Sequence, residues 1–151
     1  MTKEQMRQVL LTGYCTAEVE IGEVKYVFRT LRGKDVFAAS IVREAYITTR
    51  PQTTVDTFMS LDTAIKLALA LVSVNNQPWQ TLTEEEINYL LKSGFKKQED
   101  AQLEQIISKA VEATLKILDM APQVIQKLSN EFNTLNEELQ KAIESGEIEK
   151  N

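Results

Sequence analysis

The spacing of the apolar residues changes near Gly33, and the change limits the folds that the chain can adopt. From Thr16 to Thr30, apolar and polar residues alternate, as they do in strands with one buried face. After Gly33, apolar residues recur every three or four positions, as on one face of a helix. The sequence therefore predicts an α+β fold, mostly α, in which an N-terminal β-hairpin packs on a helical domain with long C-terminal helices.

The alternating region contains two segments, Thr16–Ile21 and Val24–Thr30, which we interpret as the strands of the hairpin. Gly22 lies between them, and a glycine followed by one further residue suits a two-residue type II′ turn. Because an isolated hairpin is only marginally stable in water, it must pack on a helix or on another sheet. Upstream, Thr2–Leu11 has the spacing of a short leading helix.

Helical spacing continues through five segments, Phe37–Tyr46, Asp56–Val74, Thr83–Ser93, Leu103–Leu118 and the residues from Pro122 to Gly146. Asp56–Val74 is apolar around most of its circumference, which indicates a central, buried helix. Thr83 and Glu86 match a capping box, in which each side chain bonds to the other residue's backbone N–H at the start of a helix. Asp35 is placed to cap the first segment, and Gly94 follows the third as a helix-ending residue.

Breaks between these segments divide the chain into regions. Thr48–Thr54, which contains Pro51, and Asn75–Trp79 are expected to be loops. The predicted regions are a leader, a unit of hairpin and central helices, a C-terminal helical hairpin or single kinked helix, and a frayed tail. They span residues 1–15, 16–93, 94–146 and 147–151, respectively.

Pro122 leaves two arrangements open, because proline is tolerated in the first turn of a helix and kinks a helix elsewhere. Beyond it, an apolar seam follows the spacing of a coiled coil. The seam residues are Ile125, Leu128, Phe132, Leu135, Leu139 and Ala142. Packing on the preceding helix and packing against another molecule explain the seam equally well. Since an uncovered apolar stripe promotes aggregation, cover by Leu103–Leu118 is the more economical arrangement.

Several classes of active site are excluded by composition. The chain has no histidine and one cysteine, Cys15, which excludes His-based triads, His-ligated metals and an intrachain disulfide. It lacks a glycine-rich phosphate loop, and the apolar stretch Ala64–Val74 is shorter than the roughly 20 residues of a membrane-spanning helix. We therefore predict no catalytic residue, metal, cofactor or small-molecule substrate, no membrane association, and no enzyme activity. Cys15 is expected to be a small, partly buried hydrophobe.

Charge points to the first half of the chain for polar recognition. Through Asn75 there are nine Lys and Arg against eight Asp and Glu; beyond it there are eight against fourteen, so that +1 and −6 add to the net charge of −5. All five arginines lie in the first part, and arginine favours bidentate contacts with carboxylates and phosphates. A simpler explanation for the absence of arginine beyond Asn75 is that the C-terminal helices use Glu and Lys because both are good helix formers.

Three short segments carry a resemblance to a known family. Phe28–Asp35 resembles the aromatic and basic strand, followed by Leu-x-x-x-Asp/Glu, of small tail-assembly proteins of tailed bacteriophages. Ala68–Trp79 with Leu82–Glu86 is similar to their helix, short loop and acidic capped helix, and Val124–Leu139 resembles their terminal Leu-x-x-x-Phe/Tyr-x-x-Leu helix. The resemblance spans roughly residues 18–140 and is to the tail assembly chaperones and baseplate hub assembly proteins, which are encoded near the tape measure protein.

This resemblance implies a non-enzymatic protein without a cofactor that binds other tail proteins, namely the tube, the hub or the tape measure. It implies a place in the host cytoplasm during assembly, or in the tail or baseplate of the virion. Whether the protein forms a homo-oligomer is left open. The rival interpretation is a small regulatory protein associated with nucleic acid, which would use the cluster Arg29, Arg32, Lys34 and Arg43 and would lose affinity steeply with salt. The net negative charge makes a nucleic-acid partner the weaker expectation.

The residues that we expect to bind a partner are Arg29, Arg32, Arg43 and Trp79. Trp79 follows a proline in a polar stretch, and tryptophan is enriched at the energetic centres of protein interfaces. The favoured alternative for Trp79 is an aromatic side chain that folds back on the core. The edge of the hairpin, which contains no proline, is open to the addition of a partner strand. Charge reversal at Arg29 and Arg32 is expected to weaken partner binding and to leave the fold intact.

Overall fold

The computed structural model describes residues 1–49, 55–79, 81–93 and 100–145, with 55–60 described by their backbone alone. This part of the chain forms six helices and a four-stranded antiparallel sheet, which confirms the predicted α+β, mostly α, class. The elements are α1 (Lys3–Thr12), β1 (Thr16–Ile21), β2 (Val24–Arg29), α2 (Gly33–Thr49), α3 (Val55–Ala70), β3 (Leu71–Val74), β4 (Gln77–Pro78), α4 (Glu84–Ser93), α5 (Ala101–Leu118) and α6 (Pro122–Glu144).

The predicted hairpin is present and forms one half of the sheet, whose strand order is β1-β2-β3-β4. Ile21 pairs with Val24 across the turn. Gly22 has a φ of +64° and Glu23 is not among the residues of positive φ, as a type II′ turn requires. The second edge of the hairpin pairs with β3, so it is not open to a partner strand.

The predicted helix Asp56–Val74 is wrong at its C-terminal end. α3 ends at Ala70, and Leu71–Val74 is β3, which pairs with β2. Asn75 and Asn76 have φ values of +50° and +64°, the pattern of a type I′ turn, and they lead into β4 instead of forming the predicted loop. A short apolar run can be the end of a buried helix or a buried strand, and the sequence alone does not distinguish the two. Here Leu71–Val74 is a strand because it pairs with the edge of β2 that β1 leaves unpaired.

α3 is the central helix, as predicted, because it has two buried faces. One face packs in a cluster with α2, α4 and α5, and the other packs in a second cluster with the inner face of the sheet and α6. The α3 residues of the two faces are Leu61, Ile65 and Leu69, and Ala64, Leu67 and Ala68, respectively. α5 also contributes to both clusters, Leu103, Ile106 and Ala110 to the first and Ile117 to the second.

The apolar seam of α6 is covered within the molecule. Pro122 is in the first turn of α6, so it begins a new helix and does not kink a continuous one. Leu128, Phe132 and Leu135 are buried in the second cluster, and α6 contacts β1 and α3 as well as α5. The predicted cover within the molecule is therefore confirmed, and α5 supplies part of it through Ile117, while the apolar inner face of the sheet and α3 supply the rest.

Local predictions at the other helix ends are mostly confirmed. The capping box of α4 is present: Glu86 N–H donates to Thr83 Oγ1 at 3.1 Å, and Thr83 N–H donates to Glu86 Oε1 at 2.8 Å. α2 is longer than predicted and includes Thr48 and Thr49, and its core face is rotated so that Phe37 is 42% exposed. The predicted loop around Pro51, the helix-ending Gly94 and Gly146, and the tail 147–151 lie outside the described residues. Among the described helices, none is long and apolar enough to cross a membrane.

Candidate functional site

All four strands reach an open cleft of about 460 Å³ at one end of the sheet. β1 and β3 begin there with Thr16 and Leu71, while β2 ends there with Arg29, and Trp79 directly follows the end of β4. The first turn of α4 closes the other side with Glu84. In an antiparallel sheet, the start of one strand lies beside the end of its neighbour. The cleft is therefore lined by residues from four separate parts of the sequence.

Three of the four predicted partner-binding residues, Arg29, Arg32 and Trp79, line this cleft. The fourth, Arg43, does not. It lies on α2, and its guanidinium contacts Asp62 Oδ1 on α3 at 2.6 Å. Burial raises the pKa of Asp62, but hydrogen bonds from Lys66 and Arg43 outweigh that effect and leave the pKa below its ordinary value. Arg43 therefore ties α2 to α3 and stands apart from the cleft.

A completely buried carboxylate, Asp35, lies beneath the cleft and is held by two arginines. It accepts hydrogen bonds from Arg32 Nε at 3.0 Å and Nη2 at 3.2 Å, and it lies 3.4 Å from Arg29 Nη2. It also accepts the backbone N–H of Arg32 at 2.8 Å. Asp35 was expected to cap a helix that follows it, but α2 begins at Gly33, so Asp35 lies in the first turn and bonds back to the residue before the helix. A buried charge is tolerated only with such compensation.

Arg32 also connects the start of α2 to α4. Its Nη2 lies 2.9 Å from Glu84 Oε2, and Lys34 contacts the other oxygen of the same carboxylate. Hydrogen bonds from Arg32 and Lys34 lower the pKa of Glu84 to about 2. The ring of Tyr14 stacks on both guanidiniums, with 4.9 Å from its centroid to Arg29 Cζ and 5.5 Å to Arg32 Cζ.

These contacts argue against the expectation that charge reversal at Arg29 and Arg32 leaves the fold intact. Both side chains are mostly buried, with exposed fractions of 14% and 17%, and they neutralise Asp35. A glutamate at either position would place a second negative charge beside a carboxylate that has no access to water. The sequence showed two exposed cations on a hairpin, whereas the structure shows the counterions of a buried acid.

Arg29 nevertheless keeps free hydrogen-bonding capacity towards the cleft. Its two contacts, 3.4 Å to Asp35 and 3.5 Å to the carbonyl oxygen of Leu69, both use Nη2 and both are long. Within the described part of the chain, Nε and Nη1 make no hydrogen bond, and neither is a buried unsatisfied atom. Arg29 therefore lines the cleft with two nitrogen atoms that have no acceptor among the described residues.

Trp79 packs against the second cluster, as the favoured interpretation predicted. One part of its side chain nevertheless lines the cleft. Its indole Nε1 donates to the carbonyl oxygen of Ala68 at 3.2 Å and to Thr81 Oγ1 at 3.2 Å. A second, smaller depression of about 210 Å³ adjoins the cleft and shares Trp79 with it. There the ammonium of Lys116 lies 6.0 Å from the centroid of the indole ring.

The structure adds residues to the site that sequence reasoning missed. Tyr14, Val72, Glu84 and Lys116 line the two depressions, and none of them was proposed as a partner-binding residue. The capped start of α4 was a usable signal for Glu84, since a first-turn carboxylate has a known position relative to the helix. No local signal connects Lys116 to Trp79, because the two meet only through packing of α5 beside the sheet.

The remaining edge of the hairpin is partly blocked. β1 is an edge strand, and the side chains of α1 bond to both outward backbone groups of Thr16. Gln5 Nε2 donates to the Thr16 carbonyl oxygen at 3.1 Å, and Thr16 N–H donates to Gln8 Oε1 at 3.2 Å. A partner strand on this edge would have only the stretch beyond Thr16, where Glu18 and Glu20 are exposed.

Cys15 was expected to be partly buried and is in fact completely buried, and burial raises the pKa of its thiol. A buried thiol of raised pKa is a poor nucleophile, since the thiolate is the reactive form. Across the described ranges, no group of three or more acidic or cysteine side chains is arranged to hold a metal ion. Comparisons with protein-family models, with curated proteins and with solved structures found no match to this chain.

Proposed function

We propose that this protein is a non-enzymatic component of a phage tail or baseplate that binds other tail proteins, during assembly or in the virion. The observation that carries the proposal is the meeting of Arg29, Arg32 and Trp79, which sequence reasoning selected for partner binding, at one cleft. The similarity of three sequence segments to tail assembly chaperones and baseplate hub assembly proteins supplies the kind of partner. The tail tube, the hub and the tape measure protein are the candidates.

The charges of the cleft favour binding over catalysis. Glu84 has a pKa of about 2, so near neutral pH it neither takes up nor releases a proton efficiently. Asp35 is buried beneath two guanidiniums and is not exposed to a ligand. Such carboxylates orient arginines, and oriented arginines serve recognition.

A protein partner is also favoured over nucleic acid. Of the cations suggested for a nucleic-acid surface, Arg32 and Lys34 are paired with Glu84, and Arg43 is paired with Asp62. Affinity for nucleic acid depends on several cations that are free to neutralise phosphates. The chain as a whole carries a net charge of −5, which opposes that interaction further.

The experiment is co-expression of the full chain with each tail protein encoded beside it, followed by affinity purification and size-exclusion chromatography. We expect a complex of defined stoichiometry with the tube, hub or tape measure protein and none with the major capsid protein, which is the control. If the folded protein forms no complex with any of the three, or binds the capsid protein equally well, the proposed function is wrong.

A further inference from the structure

We propose that the cleft and the adjoining depression together form a docking groove for an acidic, partly apolar peptide segment of a partner protein. We call it the Trp79 groove, since Trp79, Pro78 and Thr81 line both of its halves. The inference deepens the proposed function by naming the chemistry of the partner segment. It rests on the proposed function only for the view that the ligand belongs to a protein.

Charge complementarity is the first argument for an acidic segment. Arg29, Arg32, Lys109 and Lys116 line the groove together with two carboxylates, those of Glu84 and Glu112. With the buried Asp35 beneath the cleft and the ion-pair partners Lys34 and Glu86 included, five positive and four negative charges leave +1 on this surface, although the chain carries −5. The groove is therefore a local positive site on an acidic protein, which attracts a segment of the opposite sign.

Unused capacity at two of these cations is the second argument. Among the described residues, Arg29 Nε and Nη1 have no hydrogen-bond acceptor and Lys116 forms no ion pair, although its ammonium lies 6.0 Å from the ring of Trp79. Arg29 lines one half of the groove and Lys116 lines the other. A segment with two separated carboxylates would contact both.

Apolar side chains between the cations indicate the rest of the ligand. Val72 is 38% exposed and Pro78 is exposed as well, and both line the cleft above Leu71 and Ile87, which are buried. An apolar side chain of the segment would cover this surface and remove it from water. The chemistry that fits is a carboxylate on either side of a Leu, Val or Phe residue.

Nucleic acid fits the groove less well. A phosphate backbone carries a charge at every nucleotide, and Glu84 and Glu112 would lie against it. A peptide can space its carboxylates to avoid these two residues. It can also place an apolar side chain against Val72, which a phosphate backbone lacks.

The test begins with selection of random peptides, displayed on yeast, for binding to the intact protein. We expect the selected peptides to be enriched in Asp and Glu flanking an aliphatic or aromatic residue. A tryptophan-free synthetic version of the strongest peptide is then titrated, and its dissociation constant is read from the emission of Trp79, the chain's one tryptophan. Selection without acidic enrichment, no selection above background, or saturation without a change in Trp79 emission would overturn the proposal.

Charge-neutral variants test the two cations. We expect Lys116→Gln and Arg29→Gln each to weaken peptide binding about tenfold, the range of a hydrogen bond between charged groups. The matched controls are Lys127→Gln on the exposed face of α6 and Arg43→Gln in the other Arg–Asp pair, and both should bind as the parent does. If Arg29→Gln fails to fold by circular dichroism, Lys116→Gln decides alone. Equal effects in variants and controls would refute the groove.

A single-stranded oligonucleotide provides the competing ligand. We expect it not to displace the peptide at physiological salt, and displacement that Lys116→Gln abolishes would replace the proposal with a nucleic-acid site. Failure of the groove and failure of the proposed function give different results. Peptide binding without capture of any tail protein contradicts the function, whereas capture that is undiminished in Lys116→Gln and Arg29→Gln contradicts the groove.

Discussion

Asp35 holds the junction of the sheet, α2 and α4 together, because both arginines and a backbone N–H converge on one buried carboxylate. We predict that Asp35→Ala lowers the free energy of unfolding by about 3–5 kcal/mol, since two mostly buried guanidiniums lose their counterion. Urea denaturation followed by circular dichroism measures the change. The control is Asp62→Ala, whose partners are more exposed and whose expected cost is about 1 kcal/mol. Equal costs would show that burial of Asp35 does not matter.

Glu84 makes stability depend on pH in a defined window. Its pKa is lowered in the folded protein from 4.5 to about 2, so its contribution is present above pH 4.5 and disappears as pH falls towards 2. We predict that the parent is more stable than Glu84→Gln at neutral pH and that the difference vanishes near pH 2. Because the side chain is half exposed, the difference should be about 1 kcal/mol or less.

Urea midpoints of both proteins across this range measure the effect. Glu85→Gln is the matched control, since Glu85 lies in the same turn of α4 and forms no ion pair among the described residues. An equal, pH-dependent loss in Glu85→Gln would contradict the assignment of the effect to Arg32 and Lys34. A difference that grows on acidification would contradict the sign of the shift.

At the scale of elements, α6 is stabilised by the core that it covers. We predict that Phe132→Ala and Leu135→Ala each lower the free energy of unfolding by about 2–5 kcal/mol, since both side chains are buried against the sheet and α3. Chemical denaturation of the isolated protein measures this. Asn133→Ala, on the exposed face of the same helix, is the control and should be neutral or slightly stabilising, because alanine is the better helix former. Unchanged stability with loss of self-association would instead make the seam an intermolecular surface.

The strands β3 and β4 show where element prediction failed. The two consecutive asparagines at 75 and 76 were a usable signal, since asparagine tolerates positive φ and such pairs form type I′ hairpin turns. The apolar residues before them continued the helical pattern without a break, and this hid the strand. Pairing supplies the missing information: Lys25 N–H donates to Asn75 Oδ1 at 2.8 Å, a contact between residues fifty positions apart.

At the scale of the whole molecule, α3 and α5 join the two hydrophobic clusters. We therefore predict one cooperative unfolding transition, in which the far-ultraviolet circular dichroism of the helices and the fluorescence of Trp79 beside the sheet give coincident curves. Equilibrium urea denaturation with both probes measures it. The same spectra should show more than half of the residues in helix. Two separate transitions would mean that the clusters unfold independently despite their shared helices.

Local signals were enough to predict this protein's class, its first hairpin, most of its central helix and the capped start of α4. Each depends on residues within a few positions of one another, such as Gly22 at a turn or Thr83 and Glu86 at a helix start. Three of the four proposed partner-binding residues were also found to share a cleft, although the sequence could not show that two of them neutralise Asp35.

Tertiary structure alone decided the second half of the sheet, the cover of the α6 seam and the composition of the Trp79 groove. The physical reason is the same in each case: an unpaired strand edge, an exposed apolar face and an unpaired charge must find a partner, and the chain does not indicate which distant residue that will be. β2 pairs with β3, the seam packs on the sheet, and Arg32 pairs with Glu84 because folding brings them together.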